Sequence, residues 1–207
     1  MKSAIEQFRT NISRVRDLVA IYSILENQTA GRLVFSDILR AAFLLNVSAL
    51  DYYIHEVVRM GMLEIYCLQR PPTKAFSSFK ISLSSTHNIL NGLNIDSSWL
   101  DNEIRVQHSY KSFQQSEKIS DAIKLISDKK LWEEVSKEME INAKSIKQNV
   151  KIIKDRIDSI VERRNKIAHE ADIDPSFPGK RKDISEVFVI EAVDFIEQVV
   201  EIIHKVL

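Results

Sequence analysis

The sequence predicts an all-α fold, an antiparallel helical bundle of about four long helices with short helices inserted between the second and the third. Three observations predict it. Gly and Pro together fill 8 of 207 positions, against roughly 12% in average usage, so turn-formers are too scarce for the many short strands of a sandwich or barrel. Hydrophobic residues make up 44% of the chain, enough for a packed core and unlike a disordered chain. Apolar residues recur at alternating spacings of three and four over long stretches, the period of a helix with one buried face.

The first helix opens at a capping-box pattern, Ser3 with Glu6, and carries Ile5, Phe8, Ile12, Val15, Val19 and Tyr22 on one face. It ends near Glu26–Thr29, and Gly31 marks a break. The second runs from about Ser36 to Gln69, where Pro71 and Pro72 stop it. It is apolar nearly all round: Ile38, Ala42, Leu45, Ala49, Tyr53, Val57 and Met60 form one stripe, and Phe43, Val47, Leu50, Ile54, Val58, Met62 and Ile65 point elsewhere. Such a helix belongs in the middle of a bundle or at a dimer interface.

From Thr73 the pattern weakens into a Ser-rich stretch with one short helix around Ser85–Asn91, read as an excursion from the bundle. Short helices follow at about Ser98–Gln114, Lys118–Ser127 and Lys130–Met139. The third long helix starts after Asn142, places Ile146, Val150, Ile153, Ile157 and Ile160 on one face, and reaches about Glu170. A loop with Pro175, Pro178 and Gly179 leads to a last helix, capped by Asp183 with Glu186 and bearing Val187, Ile190, Val193, Ile196, Val200 and Ile203. Residues 1–207 read as a single domain with a less regular insertion at about 73–140.

Several function classes fall away. The lone Cys67, expected in the core, excludes an internal disulfide and a cysteine-based zinc cluster. His87, His108 and His204 have no partner at metal-ligand spacing, and four scattered glycines make no phosphate-binding loop, so neither metal nor cofactor is expected. With no basic-then-apolar leader and no apolar run near the ~18 residues of a membrane span, a cytoplasmic protein without membrane contact is expected. The 29 basic and 29 acidic side chains cancel, so any polyanion site must be local.

Such a site is present in the third long helix. Between Asn142 and His169 eight basic residues (Lys144, Lys147, Lys151, Lys154, Arg156, Arg163, Arg164 and Lys166) face three acidic ones (Asp155, Asp158 and Glu162), and Lys180, Arg181 and Lys182 follow. Lys147, Lys151, Lys154, Lys166, Lys180 and Arg181 are candidate RNA contacts. The competing reading is a solvated face laced with intrahelical pairs.

The helix ends in Arg163-Arg164-Asn165-Lys166-Ile167-Ala168-His169-Glu170-Ala171-Asp172. Within it, Arg164, Asn165 and His169 form an Arg-polar-three-residues-His pattern. This string, before a Pro/Gly loop and a final amphipathic helix, resembles the HEPN superfamily (higher eukaryotes and prokaryotes nucleotide-binding) and, within it, the RiboL-PSP type. The segment Val47–Glu56 resembles that family's second helix. The resemblance implies a homodimeric, metal-independent endoribonuclease with its active site at the subunit interface, serving prokaryotic defence, a toxin–antitoxin pair or a stress response, with an antitoxin or defence protein as a further partner.

The residues suit that chemistry. RNA is cut without a metal when the 2′-hydroxyl attacks the adjacent phosphorus, leaving a 2′,3′-cyclic phosphate and a 5′-hydroxyl. An imidazole, whose unperturbed pKa lies near 6.5, suits the proton transfers, and His169 supplies one. Arg164 offers planar donors to the charge building on phosphate oxygens, and the Asn165 amide lies one turn before His169. At ~100° per residue Arg164 and His169 are about 140° apart, so either the helix distorts or a twofold partner completes the site.

Asp51 and His55 belong to a polar stripe, Ser48, Asp51, His55 and Arg59, on the apolar second helix. They are supporting candidates together with Arg163, or else members of a buried network. Trp99, Trp132, Tyr110 and Phe113 could stack on bases or simply pack. A non-catalytic RNA- or nucleotide-binding module and a protein-interaction module remain the alternatives.

Overall fold

In a computed structural model, which describes residues 2–29, 33–92, 96–139, 145–177 and 179–207, the chain is all-α. The break expected at Gly31, the helix start at Asn142, Lys144 of the basic run and Pro178 of the loop lie outside the described residues. The helices are α1 (Lys2–Thr29), α2 (Ser36–Tyr66), α3 (Lys74–Ser77), α4 (Leu83–Leu90), α5 (Ser98–His108), α6 (Ser116–Ile123), α7 (Leu131–Glu138), α8 (Ile146–His169) and α9 (Glu186–Val206).

The apolar circumference of α2 decides the architecture. A helix that cannot turn a polar face to water must be covered, and α2 packs against α1, α5, α6, α8 and α9. Phe8 meets Tyr53 edge-on at 5.7 Å, and Ser3 donates to the Met60 sulfur, so α1 runs antiparallel to α2. Arg9 with Glu201, and Arg16 with Asp194 and Glu197, set α9 antiparallel to α1. Phe43 with Phe188 and Tyr53 with His204 set it parallel to α2. The C-termini of α1 and α8 and the N-termini of α2 and α9 therefore share one end of the bundle. Leu45 and Tyr52 escape the cover and remain nearly half exposed.

Helices α3 and α4 of the Ser-rich stretch bury no residue, and the chain that follows them returns to the bundle. Asp51 accepts from the Phe113 amide (2.6 Å) and the Gln114 side chain (3.0 Å), Asp158 accepts from the amide and hydroxyl of Ser116, and Trp132 donates to the Ser116 carbonyl. Ile119, Ile123, Ile126, Leu131, Trp132 and Val135 join the same core as α1, α2 and α9. Gly61 permits one close approach, since a Cβ there would lie 2.7 Å from Ile126 Cγ2.

Helix ends differ from expectation in three places. Helix α1 starts at Lys2, so Ser3 lies inside it and does not cap. Helix α2 stops at Tyr66, before the prolines, with Leu68 at φ 59°; Cys67, expected in the core, lies beyond the last helical turn and is exposed. Helix α9 is capped by Ser185, whose hydroxyl accepts from the Phe188 amide, and not by Asp183. Among the described residues no helix is long and apolar enough to cross a membrane.

Candidate functional site

Helix α8 begins at Ser145, which caps the Gln148 amide. Its buried residues are Ile153, Ile157, Ile160, Val161 and Ile167; Ile146, expected on the same face, is half exposed. The opposite face carries Lys151, Asp155, Asp158, Glu162 and His169. His169 is the last helical residue, exposed, with no hydrogen-bond partner for its ring among the described residues.

Arg164 points the other way. It follows the buried side of α8 and is half-buried; its Nη1 donates to Asn165 Oδ1 at 3.0 Å, while its Nε is buried without a partner. The α-helix is continuous through His169, so within one chain Arg164 and His169 lie on different faces, about 140° apart. Asn165 is engaged by Arg164 and not by His169.

The chain just past His169 is held by a buried ion cluster that sequence reasoning missed. The Glu170 and Asp172 amides both donate to the Lys166 carbonyl, and Ala171 and Asp172 take left-handed conformations (φ 50° and 59°) that reverse the chain. Asp172 is fully buried. Its Oδ2 accepts from Arg40 Nε (2.9 Å) and Arg163 Nη2 (2.8 Å). Arg40 also donates to Ser36 Oγ and the Lys182 carbonyl, Arg163 to the Asp183 carbonyl, and the Lys182 amide to the Asp172 carbonyl. The loop is pinched at the isolated bridge between Ile173 and Arg181. Two arginines from separate helices thus fix this segment. The signals were in the sequence: Asp172 ends the motif string, and Arg40 is a charge on an apolar helix.

Of the expected RNA contacts, Lys147, Lys151 and Lys180 are exposed and make no ion pair among the described residues. Lys154 pairs with Glu117, Arg181 with Asp37, and Lys166 with Glu162 at 2.6 Å. This last bond holds Glu162 below and Lys166 above their ordinary pKa values. A cleft of about 460 Å³ opens beside them between α8 and the first half of α9, lined by Arg156, Arg163, Lys166, Lys182 and Phe188.

The structure does not bring Asp51 and His55 to the motif. Arg40 marks the level at which α2 meets the end of α8, and Asp51 and His55 lie about 16 and 22 Å further along the helix axis. Asp51 holds the Phe113–Gln114 backbone and side chain, with His55 Nε2 3.7 Å away; the His55 ring sits 4.4 Å from Phe113 and 6.0 Å from His108. Arg59 binds Glu56 and Asp101, and Ser48 its own helix at Leu44. Burial pushes His108 down to about 4. His204 is bonded to the Tyr53 hydroxyl at 3.3 Å. Of the aromatics considered for stacking, Trp132 and Phe113 are buried, Trp99 donates to the Tyr66 hydroxyl, and Tyr110 alone of the four is fully in solvent.

A sequence model of the RiboL-PSP-HEPN family matches residues 9–207. The chain belongs to the RiboL-PSP-HEPN family. The match covers both outer segments on which the resemblance rests and the middle segment between them. No curated protein and no solved structure matches the chain significantly. At the end of α8 an exposed imidazole, an Arg–Asn pair and an anchored loop coincide.

Proposed function

We propose that this RiboL-PSP-HEPN protein is an endoribonuclease that cuts RNA by attack of a 2′-hydroxyl on the adjacent phosphorus, with His169, Arg164 and Asn165 as its catalytic residues. The observation that carries the reading is the placement of His169: an exposed imidazole without a hydrogen-bond partner among the described residues, at the helix end where the family motif stands and on a segment held rigid by Asp172. The imidazole takes the 2′-hydroxyl proton or delivers one to the leaving 5′-oxygen, the acid–base roles for which a histidine side chain is suited. Arg164 stabilises the charge that builds on the phosphate oxygens.

Because Arg164 and His169 diverge within one chain, the complete site requires two chains, with Arg164 of one subunit and His169 of the other meeting at a twofold interface. Breaking the bond to Asn165 releases the Arg164 guanidinium for that task. Prokaryotic defence or a toxin–antitoxin pair is the setting we assign, with the partner protein masking the shared cleft. The divergence also favours a second reading, in which the chain binds RNA without cutting it.

The test is cleavage of single-stranded RNA in EDTA. His169→Ala should abolish cleavage and leave the fold and oligomeric state intact, and a mixture of Arg164→Ala and His169→Ala chains should regain activity through mixed dimers. Full activity of His169→Ala refutes the assignment, and RNA binding without cleavage by the unaltered protein establishes the second reading.

A further inference from the structure

We propose that the cleft between α8 and the first half of α9 is a binding site for single-stranded RNA, with Phe188 as a base-stacking platform and Arg156 and Lys182 as phosphate contacts. The inference rests on the RNA reading above but concerns residues outside the motif. Phe188 is 41% exposed although it lies in the first turn of α9. Its ring is stacked on the buried Phe43 at 5.4 Å with 9° between planes, which holds it in place, and the Arg163 guanidinium carbon lies over the ring 6.0 Å from its centroid, far enough to leave the ring partly in solvent.

Cations border this ring. Arg156 rests over Phe195 at 4.4 Å and donates to the Glu191 carbonyl, but makes no ion pair among the described residues. Lys182 has its backbone N–H and carbonyl fixed by Asp172 and Arg40, while its ammonium makes no ion pair among the described residues. Of the two carboxylates in the wall, Glu162 is bound by Lys166 and also feels the Lys182 charge, and Glu191 makes no ion pair among the described residues. A flat ring between two available cations suits a base followed by its phosphates. An acidic peptide would use the cations and leave the ring idle.

The position fits the proposed chemistry. Arg156, Arg163 and Lys166 lead along about 20 Å of α8 towards His169, and Lys166 is three residues and about 60° from it. A strand leaving the cleft past Lys166 reaches the imidazole within one helical turn.

The experiment measures binding of a labelled single-stranded RNA of roughly ten nucleotides to the His169→Ala protein, so that the strand is not cut. Adding Arg156→Gln and Lys182→Gln together should weaken binding at least about tenfold and lower the slope of log affinity against log salt by about 1.4, or ~0.7 per lost phosphate contact. Adding Phe188→Leu, which keeps an apolar contact to Phe43, should weaken binding about tenfold with the salt slope unchanged. Affinities within about twofold of the parent for both variants, with circular dichroism unchanged, overturn the proposal.

So does displacement of RNA by polyglutamate peptide at equal strength, which would make the cleft an acidic-protein site. A change of oligomeric state in the variants would make it a subunit interface and also overturns it. Cleavage by the unaltered protein with no loss of binding in the variants sinks the cleft alone. Loss of binding in the variants when the unaltered protein does not cut sinks the nuclease reading alone.

Discussion

Replacing Asp172 by asparagine removes one negative charge from the fully buried carboxylate that receives Arg40 and Arg163, whose side chains are only 8% and 16% exposed. Shape is kept, one oxygen can still accept, and asparagine tolerates the left-handed φ of 59° at this position. Two guanidinium groups then face a neutral amide. Removing one partner of a buried ion pair costs about 3–5 kcal/mol, and the retained acceptor places this change near 3. For a domain of this size that corresponds to a fall in Tm of about 6–12 °C.

Asp172→Gly removes the acceptor as well and loosens the unfolded chain, so it should fall further although glycine suits the φ. Thermal unfolding followed by circular dichroism reads the order wild type, then asparagine, then glycine. Hydrogen exchange at the Asp172 and Lys182 amides, both bonded within this cluster, reads the local effect and should accelerate. A Tm shift below about 2 °C for Asp172→Asn, with exchange unchanged, would refute the view that this cluster anchors the segment after His169.

Gly61→Ala gains helix propensity but drives a methyl to within 2.7 Å of Ile126 Cγ2, so a net loss of about 1–2 kcal/mol is expected in urea unfolding. His108 is buried and its pKa is depressed from 6.5 to about 4. The unfolded chain therefore binds the extra proton between these values, and stability present above pH ~6.5 should fall as pH drops towards 4, by at most about 3 kcal/mol. Denaturant midpoints across this range check the slope, which His108→Gln should remove. Cys67 is exposed and should react with a thiol reagent in the folded protein nearly as fast as in denaturant; protection would return it to the core.

Features set by neighbouring residues were legible in the sequence. The apolar circumference of Ser36–Tyr66 places that helix at the centre, because any other place would leave apolar surface in water. Helix α8 ends at His169, within one residue of the reading made from its periodicity. Helix caps were less legible: Asp183 and Ser185 both suit an N-cap, and Ser185 takes the position while the Asp183 carbonyl receives Arg163. For Cys67 the helical period was extended one turn too far.

The candidate site was legible as a set of residue types and not as an arrangement. Arg164, Asn165 and His169 follow from the motif, and their angular separation from the helical repeat alone. Which charges are spent on structure does not. Asp172 engages Arg40, Lys154 engages Glu117, and Arg181 engages Asp37, each joining parts of the chain far apart in sequence. Asp51 and His55, on the same helix as Arg40, are held at another level of the bundle.

The sequence by itself determined the helices, the central place of α2 and the residue types at the end of α8, because periodicity and side-chain type are local properties. Only the tertiary structure decided which arginines are tied to Asp172, which lysines make no ion pair among the described residues, and that Phe188 lines one cleft with Arg156 and Lys182. Pairing and burial depend on which distant segments meet, and the cost of removing a charge from water is set by that meeting.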